Sequence, residues 1–303
     1  MSTDPKASSP LIDKTRCHGC GLCVRVCPAR ALTLRDDQAH LSGVCALACD
    51  HCAAVCPQEA ITVAITPREP FIFSTFTTPS AAPTSRISPA QLAAFLRQRR
   101  SCRNFRPAPL SRETLADLIR MGITAPSGTN SQKWTFAVID SRERLLLFGN
   151  RIAAFYRKLN RLAEKKWLRR LLRLSGRPEL ERYYRNYHDS IEEALRQWRE
   201  EKEDRLFHGA PAAILIGARP EAGCPQEDAL LAAQNILLAA ESLGLGSCLI
   251  GFAVEALRRD RSLKKSLRLP EDEEIYAVIA LGEPAIAYRR PAGRRRAEIR
   301  WLP

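Results

Sequence analysis

A chain of 303 residues, 45% of them hydrophobic, is long enough for two unequal domains, and two are expected. The first sixteen residues are polar, and the longest apolar stretch, ILLAAESLGLGSCLIGFAV, is broken by Glu241 and several glycines; this argues against a secretory leader and a spanning helix and predicts a soluble cytoplasmic protein. A formal net charge of +14 raises nucleic acid as a partner, but no nucleic-acid module accompanies the basic residues, and that class is disfavoured.

Eight of the eleven cysteines fall into two runs, and without a secretion signal such clustering points to metal or redox centres rather than disulfides. Cys17, Cys20, Cys23 and Cys27 are spaced C-x2-C-x2-C-x3-C-P, a run whose short spacers let one tight loop present thiolates to several irons. Cys45, Cys49, Cys52 and Cys56 repeat it with one extra residue in the first gap. Pro28 and Pro57 turn the chain away after each run, and ALTLRDD and AITVAIT follow as strand-like pieces, so the repeat extends beyond the cysteines. Four cysteines can also bind zinc, but four within so few residues, twice, followed by proline, fit zinc poorly. His18 and His51 are read as loop residues, not ligands. Residues 10–66 resemble the bacterial two-cluster ferredoxins. That resemblance implies two [4Fe-4S] clusters, with the fourth cysteine of each run crossing over: Cys17, Cys20, Cys23 and Cys56 around one, Cys45, Cys49, Cys52 and Cys27 around the other. The longer gap before Cys49 leaves the completeness of the second site open.

Ser74 to Pro89 is rich in Ser, Thr, Ala and Pro and cannot bury enough apolar area to pack, so a linker is expected over 67–87. Beyond it, SPAQLAAFLRQR and SRETLADLIRMG predict helices, the second capped by Ser111 and closed by Gly122. WTFAVID and AAILIGA read as strands. Then come a long helix, PQEDALLAAQNILLAAESLG, stopped by Gly244, a short strand SCLIGF, a helix VEALRRDRSLKKSL and a strand EIYAVIALG. Helices interleaved with strands predict a sheet covered by helices.

Four motifs in this second part belong together: RRSCRNF, APSGTNSQKW, GLGSCLIG and GRRRAEIRW. In this order and spacing residues 88–303 resemble the nitroreductase family of FMN-dependent oxidoreductases. The resemblance implies an α+β fold with a mixed sheet flanked by helices, bound FMN and a homodimer. Arg99, Arg100, Ser101 and Arg103, with Arg294 and Arg296 from the far end of the chain, would hold the phosphate and ribityl chain, one contribution arriving across the dimer interface. Pro126 and Ser127 would shape the approach of Asn130 to the polar edge of the flavin ring, with Gln132 beside it, and the backbone at Ile250 and Gly251 would meet flavin N5. GLGSCLIG is not a dinucleotide fingerprint, because it lacks that spacing and follows a helix. Cys102 and Cys248 are read as fillers of small buried sites and Cys224 as a spare thiol. Clusters and flavin phosphate would offset part of the positive charge.

Residues 142–207 form a helical insert longer than a connection requires. Within it the stretch RIAAFYRKLNRLAEKKWLRRLLRL carries nine Lys or Arg against the single acid Glu164. A lid or partner-contacting hairpin is the first expectation; contact with an anionic lipid surface or an acidic carrier ranks behind it. The chain is thus expected to be an oxidoreductase that couples one-electron clusters to FMN and reduces a small electron-poor acceptor such as a nitroaromatic, quinone or activated alkene. Ferredoxin, flavodoxin or NAD(P)H could be the donor. An NAD(P)H-dependent enzyme exporting electrons, or a redox sensor, are the alternatives, and no catalytic side chain is assigned.

Overall fold

The computed structural model describes residues 9–47, 49–63, 71–78 and 87–303. The chain divides into two units: Met1–Phe71 together with Ser127–Gln132, and Ile72–Pro126 together with Lys133–Pro303. The boundary expected at 66, and most of the linker expected over 67–87, lie outside the described residues.

The first unit runs β1 (Pro10–Ile12), α1 (Leu22–Val26), β2 (Leu32–Arg35), β3 (Gln38–Leu41), α2 (His51–Ala54) and β4 (Ile61–Val63). β1 pairs antiparallel with β4, joining the two halves. β2 and β3 form a hairpin closed by Asp36 and Asp37, both left-handed, as a two-residue turn between twisted strands demands. The sequence reading had one strand-like piece here, because QAHL lacks the β-branched residues that signal a strand. The internal repeat is visible in the backbone: Gly21 and Asp50 precede α1 and α2 with φ of 71° and 61°. Arg30 and Glu59, three residues beyond Cys27 and Cys56, are likewise left-handed. Gly19 is needed for close approach, since a Cβ there would stand 2.3 Å from the Asp37 carbonyl oxygen.

The second unit contains α3 (Pro89–Gln98), α4 (Arg112–Gly122), β5 (Trp134–Ile139), α5 (Arg142–Ala163), α6 (Lys166–Leu174), α7 (Glu179–Asn186) and α8 (His188–Glu200). After these come β6 (Ala212–Ala218), α9 (Pro225–Ser242), β7 (Gly246–Leu249), α10 (Gly251–Arg259), α11 (Arg261–Ser266) and β8 (Glu274–Gly282). The sheet order is β5-β6-β8-β7, all neighbours antiparallel. A one-residue parallel bridge from Ser101 to Ser247 at the β7 edge makes the sheet mixed. β6 is buried at every position, which is why AAILIGA reads as an unbroken apolar run. Its Ala213 and Leu215 pack against α5 and α10, and its Ile214 and Ile216 against α4 and α9, giving one core on each face.

Local signals set the helix ends. Ser88 and Gln91 form a reciprocal capping box ahead of α3, with Pro89 in its first turn, and the Ser111 hydroxyl accepts from Thr114 N–H at α4. Gly244, at φ 71°, follows α9. VEALRRDRSLKKSL is not one helix: Asp260 turns extended and its carboxylate accepts from Ser262 N–H, starting α11 anew. SCLIGF likewise ends as a strand at Leu249, and Gly251 opens α10. Part of the segment expected not to pack does pack. The buried Asp117 carboxylate accepts from Ser74 N–H, Thr75 N–H and the Thr75 hydroxyl, and pairs with Arg120 at 2.8 Å. Composition missed this because the anchoring energy lies in one buried charge, not in apolar area.

Within the insert, buried Asn160 of α5 accepts from the Tyr183 hydroxyl of α7 and donates to Glu192 of α8 at 2.7 Å. Gly149 leaves room for the Trp198 ring, and the Trp198 indole donates to Asn150 at 2.8 Å. α5, α7 and α8 are thereby fastened by satisfied polar groups as well as apolar contact.

Candidate functional site

In the first unit the tight loops and the β1–β4 pairing arrange the eight clustered cysteines around two small cavities. Cys17, Cys20 and Cys23 line one together with Cys56, while Cys45, Cys49 and Cys52 line the other together with Cys27. The atom-free space at the two, open mouths included, is about 330 and 390 Å³, respectively. Backbone N–H groups are directed at the sulfurs: Ala31 N–H donates to Cys27 Sγ and Ala60 N–H to Cys56 Sγ, each at 3.3 Å, and Ala39 N–H to Cys17 Sγ at 3.4 Å. Such donors stabilise a thiolate in an apolar pocket, where burial otherwise pushes the Cys52 thiol up to about 11. Among the described residues no three Cys, His, Asp or Glu side chains converge tightly enough to chelate one ion. Sulfurs spaced around a cavity suit a polynuclear cluster better than a single zinc. His18 lines the first cavity and His51 the second.

The loop Ser127–Gln132 belongs to this same unit. Thr129, Asn130 and Gln132 are all left-handed, three uncommon conformations in four residues. The Ser127 hydroxyl accepts from Gln132 N–H at 3.0 Å, and the Asn130 Oδ1 accepts from Gln132 Nε2 at 3.1 Å. Asn130 Nδ2 donates to the carbonyl of Leu47, in the lengthened gap between Cys45 and Cys49, at 3.1 Å. The gap that the second run lengthens thus supplies, at Leu47, the acceptor for Asn130, a contact that residue spacing alone does not reveal.

In the second unit Arg103, Ile250 and Gly251 meet in a cleft of about 2020 Å³ of atom-free space, open mouth included. The part of it that water can occupy, about 920 Å³, falls within the roughly 300–1,000 Å³ of small-ligand sites. One wall is Cys248 to Phe252, at the start of α10; the other is the insert, through Tyr156, Tyr183, Leu168 and Leu172. Tyr156 spans the two, donating its hydroxyl to the Phe252 carbonyl at 2.8 Å. A Cβ added to Gly251 would meet nothing within 4 Å, so the protein's own packing does not demand glycine there and the space beside it is open to a ligand. Arg103, Arg177, Arg182 and Arg205 bring positive charge to the lining, against Glu179 and Glu255, and Glu255 is already paired with Arg259. That balance favours an anionic group.

Other residues predicted for this site are elsewhere. Arg100 lines a separate cavity with the C-terminal segment, donating to the Arg290 carbonyl at 2.6 Å and standing 4.5 Å over the Tyr288 ring. Ser101 bridges Ser247 and hydrogen-bonds the Cys248 thiol, and neither Arg99 nor Ser101 lines the cleft. Arg294 and Arg296 are exposed on a chain without helix or strand; Arg294 donates to the carbonyl of its neighbour Gly293, and among the described residues neither lines the cleft. Arg99, Arg100 and Arg103 need not share a target, because successive side chains of an extended stretch point to opposite faces. Cys102 and Cys248 are buried fillers, and burial raises both thiols above the ordinary 9.0. A Cβ on Gly246 would lie 2.7 Å from Cys102 Sγ, so this glycine serves packing.

Sequence reading missed His208 and Arg205. Arg205 at the end of the insert and His208 just after it line the cleft, His208 in a left-handed conformation at φ 57°. Burial lowers the His208 pKa below the usual 6.5, helped by the charge of Arg103. The signal available was a histidine-glycine pair just before a buried strand.

A model of the nitroreductase family matches residues 96–283, well over half of the chain, and a model of the 4Fe-4S binding domain matches residues 10–33. A 4-nitrobenzoate reductase of Nocardioides sp. is 26% identical over 206 residues, covering 62% of this chain and 78% of the relative. An iodotyrosine deiodinase of Thermotoga neapolitana is 24% identical over 193 residues, covering 62% and 86%. A solved nitroreductase with bound FMN from Bacteroides fragilis superposes with a TM-score of 0.52 at 21% identity, over 70% of this chain and 98% of that one, a likeness of fold.

Proposed function

The chain belongs to the nitroreductase family of oxidoreductases, with a 4Fe-4S binding segment ahead of the family domain, and on that premise we propose an iron-sulfur flavoprotein that passes electrons between two [4Fe-4S] clusters and FMN and reduces an electron-poor organic acceptor. The observation that carries it is the partition of the cysteines, each run's fourth member standing with the other run's first three. FMN supplies conversion between one-electron and hydride chemistry when bound, and the clusters supply single electrons.

The residues then have distinct tasks. Arg103 and Arg205 offer guanidinium forks to a phosphate. The N–H of Gly251, at the start of α10, is one of the helix-start donors left without an intrahelical acceptor and can donate to a ring edge. His208, kept neutral near pH 7, can hydrogen-bond without adding charge. Tyr183, Tyr187 and Phe252 give the cleft an aromatic lining. Leu47 holds the Asn130 amide in one orientation. Assignment of phosphate contacts to Arg294 and Arg296 requires a homodimer, in which each would serve the partner's site.

Anaerobic purification followed by donor titration tests the proposal. About eight irons per chain, four for each cubane cluster, together with FMN are expected, and reduced ferredoxin or flavodoxin should bleach the flavin through the clusters. A colourless zinc-containing preparation would overturn it. Rapid bleaching by NADPH alone would move the assignment to an NAD(P)H-dependent enzyme, and absence of turnover with every donor to a sensor.

A further inference from the structure

The sequence of α6, KWLRRLLRL, separates completely when wound at 100° per residue. Trp167, Leu168, Leu171, Leu172 and Leu174 occupy one arc, and Lys166, Arg169, Arg170 and Arg173 the other. The fold uses only part of the apolar arc. Leu168 and Leu172 line the cleft, whereas Trp167, Leu171 and Leu174 are 65%, 57% and 76% exposed.

The helix is not free to turn these residues inward. Arg169 is buried, lies 3.5 Å over the Tyr184 ring and faces Glu181 at 3.7 Å, which fixes the rotation of α6 on α7. Lys165, Lys166, Arg170 and Arg173 are exposed and have no ion-pair partner among the described residues. An outward strip of one Trp and two Leu edged by four unpaired cations matches the surface of an anionic bilayer, whose headgroups take the cations while the apolar strip enters the acyl boundary. An acidic protein would answer the charges and leave Trp167, Leu171 and Leu174 unexplained. A second copy docking by the same face would set the cations against each other. No helix among the described residues is long and apolar enough to cross a membrane, so the contact is peripheral.

We propose that α6 is an interfacial helix that rests on anionic lipid. Because Leu168 and Leu172 form the cleft wall on the same helix, the acceptor class that follows is lipid-soluble, a quinone with an apolar tail; this second step rests on the flavin reading above, and the docking itself does not.

Flotation of the full chain with vesicles of phosphatidylglycerol and phosphatidylcholine, against phosphatidylcholine alone, tests the docking. Binding to the anionic vesicles at low salt, lost at high salt, is expected. The combined variant Trp167→Ala, Leu171→Ser, Leu174→Ser should bind at least tenfold more weakly with unchanged circular dichroism and oligomeric state, and Arg170→Glu with Arg173→Glu should do the same. No binding of the wild type, equal binding by the variants, or a face that proves to hold two copies together would overturn the proposal. In the second arm, with reduced ferredoxin or flavodoxin supplying two electrons and water two protons per quinone, a vesicle-borne isoprenoid quinone should be converted to its quinol faster by wild type than by the triple variant, and a water-soluble benzoquinone equally by both. Failure of benzoquinone reduction by both proteins defeats the flavin reading; equal rates with the vesicle-borne quinone defeat the lipid-soluble acceptor.

Discussion

At the scale of single residues, Cys27 and His208 carry the sharpest expectations. Cys27 lies in the first cysteine run but lines the cavity of the second, so Cys27→Ser should reduce iron from about eight to about four per chain. Iron analysis and the visible spectrum check this, and equal damage to both sites would refute the crossed ligand set. His208 has a folded-state pKa below its ordinary 6.5, so the unfolded chain binds the extra proton first as pH falls. Its contribution is therefore present in full above about pH 6.5 and is lost as pH drops through the lower folded value. Urea midpoints measured across that range should fall toward acid, and His208→Gln should flatten this part of the profile. Arg100 and Arg103 show how three positions of separation change a role: one is taken up by the C-terminal chain and the other lines the cleft.

At the scale of elements, two segments are held by polar contacts that their composition does not suggest. Burial alone would raise the Asp117 carboxyl, but hydrogen bonds from Thr75 and Ser74 and from Arg120 outweigh it and hold the group below its usual 3.8. Asp117→Ala removes the buried carboxylate that pairs with Arg120 and accepts from two backbone donors, and should cost about 3 kcal/mol of stability in urea unfolding. Greater proteolysis near Ser74 would accompany it. The loop Ser127–Gln132 is strained at three positions and fastened to Leu47 through Asn130. Asn130→Ala should leave iron content unchanged while slowing transfer between clusters and flavin, read by stopped-flow absorbance. An unchanged rate would assign Asn130 to loop structure only.

At the scale of the whole molecule, the formal net charge of +14 acts on encounter more than on fold. Reduction by an acidic flavodoxin should slow severalfold as ionic strength rises from about 0.01 to about 0.15 M, over which the screening length falls from about 30 to about 8 Å. Reduction by a small neutral dithiol should not change, and comparing the two donors in one salt series checks the point.

The cysteine runs, the interleaved helices and strands, the caps at Ser88 and Ser111 and the stop at Gly244 were all legible in the amino-acid sequence, because each rests on local geometry: ligand spacing, hydrophobic period or one residue's backbone freedom. The same local logic misjudged the helix broken at Asp260, the extra hairpin strand and the anchoring of Ser74 and Thr75. Only the tertiary structure decided which arginine joins Ile250 and Gly251, that His208 joins them, and that Leu47 binds Asn130, 83 positions away in the chain. Those are contacts between distant segments, and their partners are selected by packing, which no window of adjacent residues contains.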